Sequence, residues 1–208
     1  MANRAVVIVD YGMGNLWSVA SAVKHLGFEP IVSSDLESIS TADTLILPGV
    51  GSFNRAMQTI RSSEIDKAIG EALHSNEAKL LGICLGMQLL GKSSTEDGFS
   101  DGLGLVDNEV KKITSVSDQQ VKIPNIGFRE VQADEEMKIF GGLETRSRFY
   151  FVHSFCMQIL DDGSKYAIAH HGQTFVAAIE SGRVFGTQFH PEKSQKNGLK
   201  VLRNFLDL

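Results

Sequence analysis

The chain has 208 residues, 42% of them hydrophobic and 22% charged, and a formal net charge of -5. These ordinary values favour a globular protein whose length suits a single α/β domain over residues 1–208. The acidic balance argues against nucleic acid or an anionic membrane as the main partner, and no apolar run approaches the ~20 residues of a membrane-spanning helix.

The N-terminal half alternates strand-like and helix-like segments. Residues 6–9 and 44–47 are apolar runs typical of buried strands, and residues 30–32 form a shorter one. Apolar residues at helical spacing follow the runs at residues 6–9 and 44–47. Gly27 is a stop signal for the first of these helices, and Ser52 is a candidate N-cap for the second. This order predicts a mostly parallel sheet covered by helices on both faces.

Residues 80–90, LLGICLGMQLL, place a cysteine between a strand-like run and a helix-like run. Cys84 lies between Gly82 and Gly86, which makes this the thiol counterpart of the Gly-x-Ser-x-Gly nucleophile elbow. Such a turn would present the sulfur to the free N–H groups of a helix N-terminus, which stabilise a thiolate. The alternative is that Cys84 is a small buried hydrophobe, the usual situation of a free cysteine.

The pattern changes after residue 90. Residues 92–105 are polar and rich in glycine, which predicts a surface loop, and residues 199–206 predict a closing helix. The fold class we expect is a three-layer α/β protein, with a mostly parallel central sheet, helices on both faces and an added antiparallel sheet. The short strands assigned to that added layer are residues 110–113, 128–131, 149–152, 166–169, 175–179 and 184–189.

The last of these strands runs into a histidine, a proline and a carboxylate. Side chains two apart in an extended segment point the same way, so Glu192 could orient His190 and leave one imidazole nitrogen free to face Cys84. The alternative is a turn histidine in a surface ion pair. None of the other histidines has a strand end and a carboxylate two residues on: His25, His74, His153, His170 and His171.

The cysteine count argues against both a disulfide framework and a zinc site. With only Cys84 and Cys156, and scattered histidines, no metal-ligand spacing is present, and we expect no metal and no cofactor. Cys156 alternates with apolar residues and is predicted to pack in the core. The N-terminus has no signal-peptide pattern, so the expected compartment is the cytoplasm, which would keep Cys84 reduced.

Together, GICLGMQ at residues 82–88 and HPE at residues 190–192 resemble the class I (triad) glutamine amidotransferases. Within that class, residues 10–16, 48–53, 151–155 and 186–194 are similar to the glutaminase subunits of imidazole glycerol phosphate synthases. The resemblance covers essentially the whole chain, and the combination of motifs is more specific than any one of them.

The resemblance implies a mechanism. Cys84 would attack the side-chain amide of glutamine, His190 would act as general base and then protonate the leaving ammonia, and Glu192 would hold His190. Water would then hydrolyse the γ-glutamyl thioester. Glu96 has an alternative interpretation as a solvated loop charge. The oxyanion and glutamine-binding positions implied in this way are Gly49, Val50, Gly51, Leu85, Gln88, Glu96, Ser154 and Phe155.

The resemblance also implies a partner, a (β/α)₈-barrel synthase subunit that receives the ammonia through a dry passage in a heterodimer for histidine biosynthesis. Residues matching the interface are Met13, Asn15, Phe128 and Lys193. One segment departs from the family: residues 124–129 read PNIGFR where Pro-His-Met-Gly-Trp-Asn is usual.

This departure leaves a second function open, in which the same glutaminase supplies a sugar-amidinating enzyme of surface polysaccharide biosynthesis. A catalytically silent binding subunit and a stand-alone cysteine hydrolase are further hypotheses. The intact Cys84, His190 and Glu192 argue against the silent subunit.

Overall fold

The computed structural model describes residues 5–75, 77–114, 121–161 and 164–208. Its first half alternates strands and helices as the sequence predicts. The elements in chain order are β1 (Ala5–Val9), α1 (Leu16–His25), β2 (Glu29–Ser33), α2 (Leu36–Ser40), β3 (Thr44–Gly49), α3 (Phe53–Ser62), α4 (Ile65–Ser75), β4 (Lys79–Cys84), α5 (Leu85–Leu90), β5 (Ser93–Ser94), β6 (Ser100–Asp101), β7 (Glu109–Lys112), β8 (Asn125–Ala133), β9 (Arg146–His153), β10 (Phe155–Met157), β11 (Lys165–His171), β12 (Gln173–Ser181), β13 (Val184–Thr187) and α6 (Gln195–Asp207). Short 3-10 helices lie at Lys138–Phe140 and Pro191–Lys193.

Among the described residues, nine strands form one mixed sheet in the order β2-β1-β3-β4-β13-β12-β11-β8-β9. The pairings from β2 to β13 are parallel, and those from β13 to β9 are antiparallel. This arrangement confirms the α/β fold class, with its parallel half and its helices on both faces.

The expected antiparallel layer differs in detail from the observed one. Strand β13 pairs in parallel with β4, so that Val184 lies opposite Leu80 and Thr187 opposite Ile83. Strands β12, β11, β8 and β9 therefore continue the main sheet, and of the pieces assigned to the added layer only β7 lies in a second sheet. Strand pairing between distant segments decided this, and no local pattern encodes it.

The second sheet has the order β10-β7-β5-β6 within the described part of the chain. Two of its strands, β5 and β6, lie in the segment of residues 92–105 that we predicted as an irregular loop. Each of these strands is two residues long, too short for a periodic pattern to reveal.

The core lies on both faces of the main sheet because side chains alternate along each strand. In β1, Val6 and Ile8 pack on one face with helices α1 and α6, while Val7 and Val9 pack on the other with α2, α3, α4 and α5. Within the described ranges, no helix combines the length and the apolar character needed to cross a membrane.

Local chemistry accounts for the helix ends near β2. Gly27 follows α1 with φ +85°, a left-handed conformation that glycine adopts without strain, as the sequence indicates. Helix α2 is absent from the prediction, although Asp35 caps it by accepting a hydrogen bond from the Ser38 N–H at 2.8 Å.

Candidate active site

The strand β4, Cys84 and helix α5 form the predicted elbow. Cys84 has φ 56° and ψ -110°, a conformation that costs free energy in a residue with a side chain. The flanking glycines make the turn possible, since a Cβ at Gly82 would lie 2.7 Å from the Gly86 carbonyl and one at Gly86 would lie 1.7 Å from the Leu47 oxygen. Only glycine allows backbone to approach backbone this closely.

The sulfur of Cys84 lies at the wall of a cavity of about 210 Å³. The cavity opens at the carboxyl ends of β3 and β4, where parallel α/β sheets commonly place their sites. The residues lining it are Val50, Gly51, Cys84, Leu85, Gln88, Glu96, Val152, His153, Ser154, Phe155 and His190. The structure thus brings together nearly all of the positions that the sequence assigned to the nucleophile and to the glutamine site.

His190 reaches this cavity from the other end of the chain. Its Nδ1 lies 2.8 Å from Glu192 Oε1, both side chains are buried, and its Nε2 has no hydrogen-bond partner among the described residues. The contact is the predicted one, but its geometry is not. Residues Pro191–Lys193 form a 3-10 helix and not the extended segment that we predicted. A tight turn therefore brings Glu192 to the imidazole.

Packing behind His190 holds this turn in place. The Phe189 ring stacks on Phe149 with centroids 4.1 Å apart, and the His190 N–H donates to the Tyr150 carbonyl at 2.9 Å. The Ser194 hydroxyl donates to the His190 carbonyl at 2.7 Å and accepts from the Tyr150 N–H at 2.9 Å. The imidazole is therefore fixed by its backbone as well as by its carboxylate partner.

The charge environment keeps His190 protonated. Burial by itself lowers its pKa, but the interactions with the sulfur of Cys84 and the carboxylate of Glu192 outweigh burial and raise the pKa to about 10. The imidazole therefore holds its proton well above neutral pH and is a cation beside the sulfur of Cys84.

This shift makes stability depend on pH. The His190 pKa rises from 6.5 to about 10 on folding, so between these values the folded chain holds a proton that the unfolded chain releases. The free energy of unfolding should therefore be highest below that window and fall as pH rises through it, by at most about 1.4 kcal/mol per pH unit for one proton.

We expect Glu192→Gln to flatten this decline, measured by urea unfolding at neutral pH and near pH 10. The matched control is Glu130→Gln, which breaks the exposed pair between Glu130 and Arg146. Arginine does not titrate in this range, so the control should keep the wild-type slope. An unchanged slope in Glu192→Gln would show that the carboxylate does not set the protonation of His190.

The loop after β3 lines the same cavity through Val50 and Gly51. Gly49 pairs with Cys84 in the β3–β4 ladder, and Gly51 has φ +110°. A Cβ at Gly51 would lie 2.8 Å from the Met13 Cε, so this loop packs against Met13, one of the expected interface residues. Leu85 follows the sulfur at the first position of α5.

Gln88 and Phe155 meet at the floor of the cavity. Gln88 Nε2 donates to the Phe155 carbonyl at 2.7 Å and to Gln188 Oε1 at 2.9 Å. Ser154 lies beside Phe155 between β9 and β10 and lines the same space. Gln188 is fully buried, and sequence reasoning missed it, although a polar residue in a buried strand near His190 was a usable signal.

Glu96 is not the solvated loop charge of the alternative interpretation. It is half-buried, lines the cavity, and its Oε2 accepts a hydrogen bond from the Phe53 N–H at 3.0 Å. Burial raises the pKa of Glu96, and the Phe53 hydrogen bond partly opposes that rise. Glu96 thereby caps α3, while the Ser52 side chain, our predicted cap, makes no capping bond.

His153 also reaches the cavity but has no free nitrogen. Its Nδ1 lies 2.9 Å from the Phe155 carbonyl, and its Nε2 lies 2.9 Å from Asn125 Nδ2. Burial lowers its pKa to about 4, which makes it a neutral ring that donates from Nδ1 and accepts at Nε2. Asn125, part of the segment that departs from the family, is thus a buried support of the cavity wall.

Tyr11 is a second residue that sequence reasoning missed. Its hydroxyl is buried and has no hydrogen-bond partner among the described residues, and a Cβ at Gly49 would lie 2.3 Å from it. Burial and the negative charge of Cys84 both raise its pKa. The phenol therefore stays neutral behind the Gly49 loop.

The residues expected at a partner interface lie in different places, with Met13 at the Gly51 loop and Phe128 at a second cavity. Met13 lies beside the loop at Gly51, and Asn15 precedes α1. Phe128 lines another cavity, of about 340 Å³, together with Arg148 and the start of α6. Lys193 is exposed next to Glu192. Their role in binding a partner stays a prediction.

Comparison with known families decides the class of protein. Residues 7–208 match the family described as Glutamine amidotransferase class-I. The chain belongs to the class I glutamine amidotransferases. Solved structures agree at the level of the fold. A glutamine amidotransferase aligns with a TM-score of 0.74 at 22% identity, covering 97% of both chains, and PurLQS from Thermotoga maritima aligns with a TM-score of 0.72 at 20% identity, covering 99% and 98%.

Curated relatives of this glutamine amidotransferase are more similar in sequence. Imidazole glycerol phosphate synthase subunit HisH 1 of Campylobacter jejuni (strain RM1221) is 39% identical over 98% of this chain and 100% of the relative. Subunit HisH of Vibrio cholerae serotype O1 is 41% identical over 98% of both chains. The similarity therefore spans the full length of these subunits.

Proposed function

We propose that this chain is the glutaminase subunit of an imidazole glycerol phosphate synthase. It would hydrolyse glutamine to glutamate and ammonia and deliver the ammonia to a synthase subunit in histidine biosynthesis. The observation that carries the proposal is the meeting of Cys84 with a Glu192-bound His190 at one cavity, in a chain similar over its length to subunits of that name.

The geometry supports nucleophilic catalysis by Cys84. The sulfur stands on a turn that leaves it at the cavity wall, and His190 holds a proton that it can give to the leaving ammonia. Attack of the sulfur on the glutamine amide forms a C–S bond, and the C–N bond then breaks as the leaving nitrogen takes the proton of His190 and departs as ammonia. Water then gives a proton to the neutral His190 and attacks the thioester, and the C–S bond breaks to release glutamate and restore the sulfur of Cys84. Glu192 holds His190 through Nδ1 and stabilises the imidazolium whenever His190 carries its second proton.

Backbone N–H groups of Leu85 and of the loop Gly49-Val50-Gly51 are the proposed donors to the oxyanion. Loss of one such donor typically costs ~10²–10³ in rate. Gln88 and Glu96, which both line the cavity, would bind the α-amino group of glutamine, and a carboxylate such as Glu96 is a suitable acceptor for it. Ser154 and Phe155 would bind its carboxylate through backbone groups.

A synthase partner follows from the chemistry of ammonia, which is mostly protonated and unreactive once released into neutral water. We propose a cytoplasmic heterodimer with a (β/α)₈-barrel subunit that completes a lyase reaction, the ammonia passing through a channel between the subunits. The partner would cover Met13, Asn15, Phe128 and Lys193. Supply of a sugar-amidinating enzyme is not favoured, because the curated relatives named above carry the histidine-pathway name.

Genetic rescue tests this assignment. The chain is expressed in a bacterial histidine auxotroph that lacks its own glutaminase subunit and retains its barrel subunit. Growth without histidine is the expected result, with Cys84→Ala as the inactive control. If the chain binds the host barrel subunit and still fails to restore growth, the assignment to histidine biosynthesis is wrong. Supply of ammonia to a sugar-amidinating enzyme is then the hypothesis to test.

A further inference from the structure

The side-chain amides of Gln88 and Gln188 form a buried hydrogen-bond network that leads from the Phe155 carbonyl to the sulfur of Cys84. Gln188 lies between β13 and the His190 turn and is fully buried. Its Oε1 lies 2.9 Å from Gln88 Nε2, and its Nε2 lies 3.9 Å from Cys84 Sγ. Gln88 Nε2 in turn lies 2.7 Å from the carbonyl oxygen of Phe155. Two side-chain amides thus link a backbone carbonyl to the nucleophile.

The direction of donation along this network is fixed at one end. A backbone carbonyl can only accept, so Gln88 must present its NH₂ group to Phe155. The second hydrogen of that NH₂ group is then taken by Gln188, which must present its oxygen. The amide of Gln188 therefore has its own NH₂ group on the side of the sulfur.

The surroundings of the sulfur distinguish its two protonation states. A thiol at Cys84 donates to the Val152 carbonyl at 3.8 Å and accepts from Gln188. A thiolate can only accept, so its contact with the Val152 carbonyl is lost, while the hydrogen bond from Gln188 becomes a stronger one to a charged acceptor. The amide of Gln188 thus favours the charged form of the sulfur.

We infer that Gln188 is a hydrogen-bond donor to the thiolate of Cys84, held in its donating orientation by the Phe155 carbonyl through Gln88. The inference rests on the proposed function, in which Cys84 is the nucleophile. It assigns Gln188 a part in the reaction that goes beyond packing, because the amide contacts the reacting atom. It also makes Gln88 a positioning residue for the nucleophile, in addition to its place at the cavity wall.

Alkylation of Cys84 by iodoacetamide tests this assignment directly, since the thiolate is the reactive form. The rate is followed by mass spectrometry of the peptide containing Cys84, over a range of pH. Gln188→Met keeps the volume and removes the donor, and it should slow alkylation near neutral pH about tenfold and move the rate profile upward by about one pH unit. Gln188→Glu places a carboxylate against the sulfur and should slow it further.

A matched control contacts the other cysteine. Gln173 Nε2 lies 3.3 Å from Cys156 Sγ, so Gln173→Glu makes the same chemical change beside a different thiol. It should leave the Cys84 profile as in the wild type. All variants retain His190 and Tyr11, the titratable groups that interact with the sulfur, and their folding is checked by circular dichroism.

A wild-type rate and profile in the folded Gln188 variants overturns the inference. If neither variant folds, Gln88→Met replaces them, because it leaves Gln188 in place and removes the bond that orients it. Slower alkylation of Cys84 then supports the inference, and a wild-type rate overturns it. Alkylation needs no glutamine turnover. A chain that fails to rescue the auxotroph can therefore still show the Gln188 effect, and the two proposals fail separately.

Discussion

Replacing Cys84 by alanine is expected to abolish the glutamine-dependent activity of the proposed complex with a barrel subunit. Without the sulfur no thioester forms, so no ammonia leaves to take the proton held by His190. Removal of a nucleophile from such a triad typically lowers the rate at least ~10⁴-fold. Activity supported by ammonium salt should remain close to that of the wild-type complex, because the proposed barrel subunit would take ammonia directly from solution.

The matched control is Cys156→Ala, which removes the other thiol. Cys156 is fully buried in β10, and burial raises its pKa to about 11, so it is an unreactive thiol of the core. This control should keep glutamine-dependent turnover. Equal loss of the glutamine-dependent and ammonium-dependent activities in Cys84→Ala would contradict the proposal that this chain hydrolyses glutamine and the barrel subunit uses the ammonia. It would mean that the substitution damages the complex itself.

Gly86→Ala is expected to destabilise the chain severely. The added Cβ would lie 1.7 Å from the Leu47 oxygen and 2.8 Å from its carbonyl carbon. Leu47 cannot move away without breaking the ladder in which it pairs with Gly82. Overpacking against backbone of this kind should cost about 3 kcal/mol or more. Urea unfolding of the purified variant measures the loss.

Gly70→Ala provides the opposite expectation at a comparable position. Gly70 lies in helix α4, and among the described residues nothing beyond its chain neighbours and the nearby helix backbone lies within 4 Å of the Cβ that alanine would add. Alanine in a helix is favoured over glycine by about 0.5–1 kcal/mol, so this variant should be slightly more stable than the wild type. A Gly86→Ala variant as stable as the wild type would mean that the elbow is not packed as described.

Much of the candidate site could be predicted because its signals are local. The glycines around Cys84 indicate a sharp turn wherever the strand lies, since the close approach of Gly86 to Leu47 depends on spacing within one strand–turn–helix unit. The pair of His190 and Glu192 is likewise a contact between residues two apart. The residue pattern left the meeting of His190 with Cys84 as one of two alternatives, and the family resemblance favoured it, because no local pattern decides contacts between residues more than a hundred positions apart.

Other positions were beyond such reasoning. The place of Tyr11 behind the Gly49 loop depends on a distant segment, and a polar residue in a buried strand was the one signal for Gln188. Asn125, in the segment that departs from the family, supports His153 in the interior. The cap of α3 comes from Glu96, which accepts a hydrogen bond from the Phe53 N–H 43 positions away in the chain. The prediction of the nearby Ser52 as the cap was therefore wrong.

The amino-acid sequence alone determined the alternation of strands and helices, the turn at Cys84 and the class of chemistry. These depend on residue type and short spacing, which act before the chain has folded. Only the tertiary structure decided that β13 joins β4, and so extends one sheet through nine strands among the described residues. It also decided which buried amide faces the sulfur. Both outcomes depend on contacts between segments that are far apart in the chain, where the free energy of a whole packed arrangement selects among pairings that look locally equivalent.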